Sequence, residues 1–187
     1  MDKFGQRKKE ILSKKDKSSK GSWDKHILKL CDKINKKKNY YTTSSCSGRL
    51  TIIRNVLRDK RGVVLKSYHD ALNYSDFKKD LDEFLKKEKG IVIKFEPPII
   101  HIACKDIHSM KELYETAKNS GWKNIGAISF ESRYILEARC SDRLEFPVVC
   151  DNKLIVDDKF LQICIKESNI KLKNCWKKIN TFEQMIK

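Results

Sequence analysis

Trp23, Ile27, Leu30, Cys31 and Ile34 fall on one face of a 3.6-residue period with lysines on the other, a pattern that predicts an amphipathic helix. Ser22 stands where that helix needs an N-cap, after a polar loop at Asp16–Gly21. Phe4, Ile11 and Leu12 mark a shorter, highly charged helix upstream. Phe77, Leu81, Phe84 and Leu85 predict a third helix, which Gly90 is expected to end. Met110, Leu113, Tyr114 and Ala117 predict a fourth, capped by Ser109 and stopped at Gly121. A long last helix opens at Asp157 or Asp158 and runs through Phe160, Ile163, Cys164 and Ile170.

Between these helices lie short runs rich in β-branched and aromatic residues. Strands are predicted at Tyr40–Ser44, Leu50–Leu57, Val63–Lys66, Ile91–Phe95 and Ile99–Cys104. Pro97-Pro98 prevents the last two from forming one continuous strand. Gly126–Phe130 and Tyr134–Ala138 read as a hairpin across Glu131-Ser132, and Leu144–Val149 as the final strand. The irregular alternation, with hairpins, points to an α+β fold with a mixed or antiparallel sheet and flanking helices. Neither a repeat nor a flexible linker is visible, and 187 residues suit a single domain spanning 1–187.

Charge changes the picture. The chain has 41 Lys and Arg against 25 Asp and Glu, a formal net charge of +16. Residues 1–38 alone hold 14 basic and 5 acidic side chains, so more than half of the excess is in the first fifth of the chain. A block of that kind steers a polyanion and binds it through phosphates. No stretch approaches the roughly 18 consecutive apolar residues of a membrane span. The lysine-rich start lacks the apolar core of a secretory signal, so the expected compartment is cytoplasmic. Seven cysteines, an odd number without CxxC pairs, read as free thiols, and His101, Cys104 and His108 are not read as a metal site.

The chemistry-bearing candidates lie in a few places. Thr42 to Arg49 (TTSSCSGR) is the densest polar cluster, read as a sharp turn in which hydroxyls and backbone N–H groups bind an anion. Gly48 supplies the left-handed backbone, Arg49 a fork for carboxylate or phosphate, and Cys46 a conceivable nucleophile for a cysteine hydrolase. His69 and Asp70 follow a strand, where the histidine can serve as a general base near neutral pH or lie at the surface; His101, inside an apolar strand, is either a hydrogen-bonded core histidine or a pocket residue. Arg139 and Arg143 flank a strand exit, where they hold an anion or pair with Glu137, Asp142 or Glu145. Neither GxGxxG nor GxxxxGK[ST] occurs, which argues against a doubly wound nucleotide-binding fold.

KGSWD (Lys20–Asp24), YYTTSSCSGR (Tyr40–Arg49), SYHD (Ser67–Asp70), FEPPIIHIACKD (Phe95–Asp106), SGW (Ser120–Trp122) and RLEFPV (Arg143–Val148) together resemble the tRNA wybutosine-synthesizing protein 3 family. Their order and spacing match over nearly the whole chain, and SSCSGR is the most specific block. The resemblance implies an S-adenosyl-L-methionine-dependent methyltransferase with its own α/β arrangement. Such enzymes methylate N4 of a tricyclic guanosine-derived base at position 37 of phenylalanine tRNA. On that reading His69 or His101 is the base, oriented by Asp24 or Asp70. Ser44, Ser45, Cys46 and Arg49 bind the cofactor carboxylate or a tRNA phosphate. Lys20, Arg139 and Arg143 contact anions, the lysine-rich residues 1–38 hold the anticodon arm, and no metal is involved. The alternative from another class is a non-catalytic tRNA-binding protein on the same scaffold.

Overall fold

The computed structural model describes residues 2–14, 24–55, 63–131 and 133–186. Lys20, Ser22 and Trp23, and the part of the second predicted strand beyond Asn55, lie outside them. The chain forms two compact units, each assembled from separate stretches. One comprises Met1–Ser47, Pro98–Ser141 and Cys175–Lys187; the other comprises Gly48–Pro97 and Asp142–Asn174. Interleaving of this kind needs no linker, which is why none is legible in the sequence. Among the described residues every strand pairing is antiparallel, so the fold is α+β and not doubly wound.

In the first unit, helices α1 (Lys3–Leu12) and α2 (Lys25–Lys36) precede strand β1 (Tyr40–Cys46). After a stretch that belongs to the second unit come β5 (Ile99–Cys104), α4 (Ile107–Asn119), β6 (Asn124–Ser129) and β7 (Tyr134–Arg139). The four strands form one sheet in the order β1-β5-β7-β6. Alternation along β5 and β7 sends Ile100, Ile102, Leu136 and Ala138 to a buried face, and His101 and Glu137 to the half-exposed opposite face. Ile27, Leu30, Cys31 and Ile34 of α2 are fully buried, as the helical period predicts. The cap is a different residue: Asp24 holds the N-cap position of α2.

The ends of α4 show how side chains finish a helix. Asp106, rather than Ser109, is the N-cap, its carboxylate accepting from the Ser109 N–H at 2.8 Å. Ser109 is instead buried in the first turn. At the other end Gly121 (φ +91°) follows the cap; its N–H bonds to the Lys118 carbonyl and that of Trp122 to the Ala117 carbonyl. This paired closure uses the left-handed backbone that glycine adopts at least cost. The bond to Ser109 holds the Asp106 carboxyl below its usual 3.8. A carboxyl depressed in the folded state contributes stability above its unfolded value and loses it as pH falls through the folded one. Asp106→Ala is therefore expected to lower the thermal midpoint at neutral pH, with the gap to the parent closing in acid. A gap constant down to acid pH would rule the cap out as its cause.

The second unit holds β2 (Arg49–Arg54), β3 (Val63–Tyr68), α3 (Tyr74–Leu85), β4 (Ile91–Glu96), β8 (Leu144–Cys150) and β9 (Lys153–Leu154). Its sheet runs β3-β2-β4-β8-β9. Leu50, Ile52, Ile91, Ile93 and Phe95 of the sheet, with Phe77 and Leu81 of α3, are buried. Helix α3 stops at Leu85, short of Gly90, and Gly90 serves the sheet instead: a Cβ there would meet the Asn55 carbonyl oxygen at 3.2 Å. β8 is not the last strand. Asp151 and Asn152, both at positive φ (49° and 61°), turn the chain back so that Cys150 pairs with Lys153.

Helix α5 (Asp158–Met185) begins in the second unit and ends in the first. Asp157 caps it, accepting from the Phe160 N–H at 2.7 Å. Its buried face is Leu161, Ile165, Ser168, Leu172, Cys175, Ile179 and Phe182, a sustained 4-3 spacing, whereas Phe160, Ile163 and Ile170 are exposed. No described helix is long and apolar enough to cross a membrane.

Candidate active site

A β-bulge sets the geometry of the first unit's open face. β1 pairs with β5 as Thr42↔Ile102 and then Ser44↔His101, leaving Thr43 as the extra residue. Without that extra residue Thr43 would oppose His101 and Ser44 would point to the other face. β5 in turn pairs His101 with Glu137 of β7. Three polar side chains thus line up across three strands.

They are hydrogen-bonded in series. Ser44 Oγ lies 2.9 Å from His101 Nδ1, and His101 Nε2 lies 2.8 Å from Glu137 Oε2. An ionised carboxylate only accepts, so neutral His101 carries its proton on Nε2 and accepts the Ser44 hydroxyl proton at Nδ1. On β6, Gly126 opposes Glu137 and has open space where a Cβ would be, so the row ends at a bare strand. The carboxylate that holds His101 is Glu137, not Asp24 or Asp70. Glu137 is also not the partner of Arg139 or Arg143 that its charge suggests, and Glu145 pairs with Lys94 at 3.4 Å.

A second, drier cluster in the same unit centres on Ser47. The Ser47 N–H donates to Asp24 Oδ2 at 3.0 Å, and the Trp176 indole N–H donates to the Ser47 carbonyl at 3.2 Å. Trp176 stacks on His26, with ring centroids 3.5 Å apart and planes 10° from parallel. Asp24 makes no side-chain cap to its own helix. Ser47 is fully buried, and its hydroxyl has no partner among the described residues. An unsatisfied buried hydroxyl beside a buried carboxylate suits a small polar ligand, since the hydroxyl would otherwise stay desolvated without return.

Ser45 and Cys46 lie on β1, paired with Ile100 and Ile99, so the polar cluster is mostly strand. The turn is confined to Ser47 and Gly48, whose φ of +93° is the left-handed value expected of it. Cys46 is half-buried, and all seven cysteines are free thiols; burial pushes the Cys31 and Cys104 thiols up to about 12, keeping them neutral. His101, Cys104 and His108 do not converge: Cys104 is buried at the strand end and His108 pairs with Glu112 at 3.3 Å on exposed α4.

Arg139 ends β7 and has a buried Nε without a hydrogen-bond partner among the described residues, consistent with an anion-binding role. In the second unit Arg49 opens β2 and its Nε is bonded to Glu96 at 2.5 Å, so its charge is shared with a carboxylate. His69 and Asp70 follow β3 there, and exposed Arg143 immediately precedes β8. His26 and Trp176 carry no signal in the sequence, Glu137 enters it only as a partner for arginine, and Ser47 only as part of the Thr42–Arg49 cluster. Trp176 lies on a helical face with no local motif, and only its placement brings it to Ser47.

A profile of the family described as Methyltransferase TYW3 matches residues 6–187. The chain belongs to the TYW3 methyltransferase family. A Methanocaldococcus jannaschii relative is 38% identical over 82% of this chain and 80% of its own length. A Thermococcus sibiricus relative is 32% identical over 97% and 92%. Both are named tRNA(Phe) 7-((3-amino-3-carboxypropyl)-4-demethylwyosine(37)-N(4))-methyltransferase. The Bos taurus tRNA wybutosine-synthesizing protein 3 homolog is 31% identical over 96% of this chain and 70% of its own length. The PH1069 protein of Pyrococcus horikoshii has the same fold, with a TM-score of 0.87 at 24% identity over 97% of this chain and 92% of that one. A member of the TYW3 methyltransferase family requires a methyl donor; the SSCSGR block places Ser44 in one cluster and Ser47 in the other, and FEPPIIHIACKD supplies His101.

Proposed function

We propose that this TYW3 family member transfers a methyl group from S-adenosyl-L-methionine to N4 of the tricyclic base at position 37 of phenylalanine tRNA. The observation that carries the reading is the Ser44–His101–Glu137 series, a proton-accepting chain whose serine and histidine come from two of the family-like blocks. The relatives' names supply the acceptor. Asp24, Cys46 and the unsatisfied Ser47 hydroxyl would hold the donor's polar groups, and Trp176 and His26 give that cluster a rigid wall. The donor, when bound, supplies an electrophilic methyl on a positively charged sulfur.

What the chain itself contributes is alignment and a place for one proton. Fixing acceptor and donor in reacting geometry supplies most of the acceleration for a displacement of this kind. The N–H proton of the acceptor passes to Ser44 Oγ while the Ser44 proton passes to His101 Nδ1. The imidazolium that results is stabilised by Glu137 at Nε2. His101, hydrogen-bonded at both ring nitrogens, is the proposed base. The lysine-rich N-terminal segment and Arg139 hold tRNA phosphates, with the anticodon arm as the bound region.

The test is a transfer assay. Phenylalanine tRNA carrying the unmethylated intermediate is incubated with the protein and isotopically labelled S-adenosyl-L-methionine, then digested to nucleosides for mass spectrometry. Label in the position-37 nucleoside is the expected result. Binding of tRNA with neither cofactor binding nor transfer would overturn the reading in favour of a tRNA-binding role, and cofactor binding without transfer would mean a different acceptor.

A further inference from the structure

In the first unit, α1, the end of α2 and the β5–α4 junction enclose a groove of about 680 Å³. Phe4, Gly5 and Leu12 form its apolar part, and Phe4 rests on Tyr41 with ring centroids 5.1 Å apart. Lys8 and Lys9 come from α1, Lys36 and Lys38 from the end of α2, and Lys105 from beyond β5. Asp2 is the one acidic residue among the lining, and it is already paired with Lys105 at 3.5 Å. Lys8 ties α1 to the following segment by donating to the Lys37 carbonyl. Burial also lowers the Lys8 pKa, so its ammonium is desolvated among like charges.

Five lysines around one apolar-floored groove, with a single carboxylate among them, leave an excess of positive charge that a chain of phosphates neutralises. We propose that this groove binds a single-stranded RNA segment, its lysines on consecutive phosphates and its Phe4-lined floor against the bases. The proposal rests on the tRNA reading above and narrows it: the docking surface is this groove, and it includes Lys105, which lies far outside the lysine-rich N-terminal stretch.

A triple variant, Lys9→Gln/Lys38→Gln/Lys105→Gln, tests it while leaving the Lys8 contact in place. Binding of fluorescent phenylalanine tRNA is followed by anisotropy across a salt series, beside a control triple, Lys153→Gln/Lys159→Gln/Lys166→Gln. Each lost phosphate contact lowers the salt slope by about 0.7. The groove variant should therefore lose about 2 in slope and roughly a hundredfold in affinity at 0.1 M salt. The control should stay near the parent. Unchanged binding in the groove variant, or equal loss in the control, overturns the groove. Equal competition by a polyglutamate of matching charge would overturn RNA as its occupant. Methyl transfer read on the same samples separates the two claims. Weakened RNA binding by the groove variant, with no transfer even by the parent protein, would leave the groove standing and remove the methyltransferase reading.

Discussion

His101→Asn is expected to slow methyl transfer by about 10²–10⁴-fold, the usual contribution of a positioned general base. The effect should fall on the chemical step. Asn can keep one hydrogen bond to the row, but it has no basic nitrogen to receive the Ser44 proton. Stability should change little, because His101 sits on the half-exposed face of the sheet while Ile100 and Ile102 make the core on the other. The measurement is a single-turnover rate with donor and tRNA bound, alongside a thermal melt. A rate within about tenfold of the parent would remove His101 from the role of base. Glu137→Gln should give a smaller loss in the same step, since it keeps an acceptor for the Nε2 proton but not the charge that stabilises the imidazolium.

Trp122→Ala is expected to act in the opposite way, costing about 3–5 kcal/mol of stability with little direct effect on the chemistry. Trp122 is 1% exposed and meets Phe182 edge-on, with centroids 5.7 Å apart. Its indole N–H lies 3.4 Å from the Lys178 carbonyl, and its backbone N–H closes α4. For a chain of this length each kcal/mol shifts the thermal midpoint by about 2–4 °C, so a drop of roughly 6–20 °C should appear by circular dichroism. Trp122→Phe, which keeps most of the ring, should lose far less. A variant that melts like the parent but fails to transfer would place Trp122 in the site rather than the core.

The contrast between these residues shows what the sequence could disclose. Helix faces and strand runs were legible because burial leaves a period: Ile27, Leu30, Cys31 and Ile34 are all fully buried, and the hairpin of β6 and β7 forms as its apolar runs suggest. The long helix was legible in extent of pattern but not in face. Phe160 and Ile163 look like core residues and are exposed, while Ser168, a polar residue, is buried. The residues of the candidate site were recognisable by type and motif, yet their partners were not. Ser44 meets His101 only because Thr43 bulges, and no periodic signal announces a bulge. Glu137 is an ordinary charge in an alternating strand until sheet register sets it opposite His101. Trp176 lies 129 residues from the carbonyl it bonds, a pairing no local pattern can encode.

The interleaving of the two units bears on how the protein is made. The second unit needs the Asp142–Asn174 stretch and the first needs Cys175–Lys187, so neither can close before helix α5 has been made. The unit whose strands and helices emerge first must wait, because Ile179 and Phe182, both fully buried in it, lie on the Cys175–Lys187 stretch. The earliest stretch of the first unit thus depends on its latest, and the His101 row acquires its finished scaffold only when Cys175–Lys187 packs.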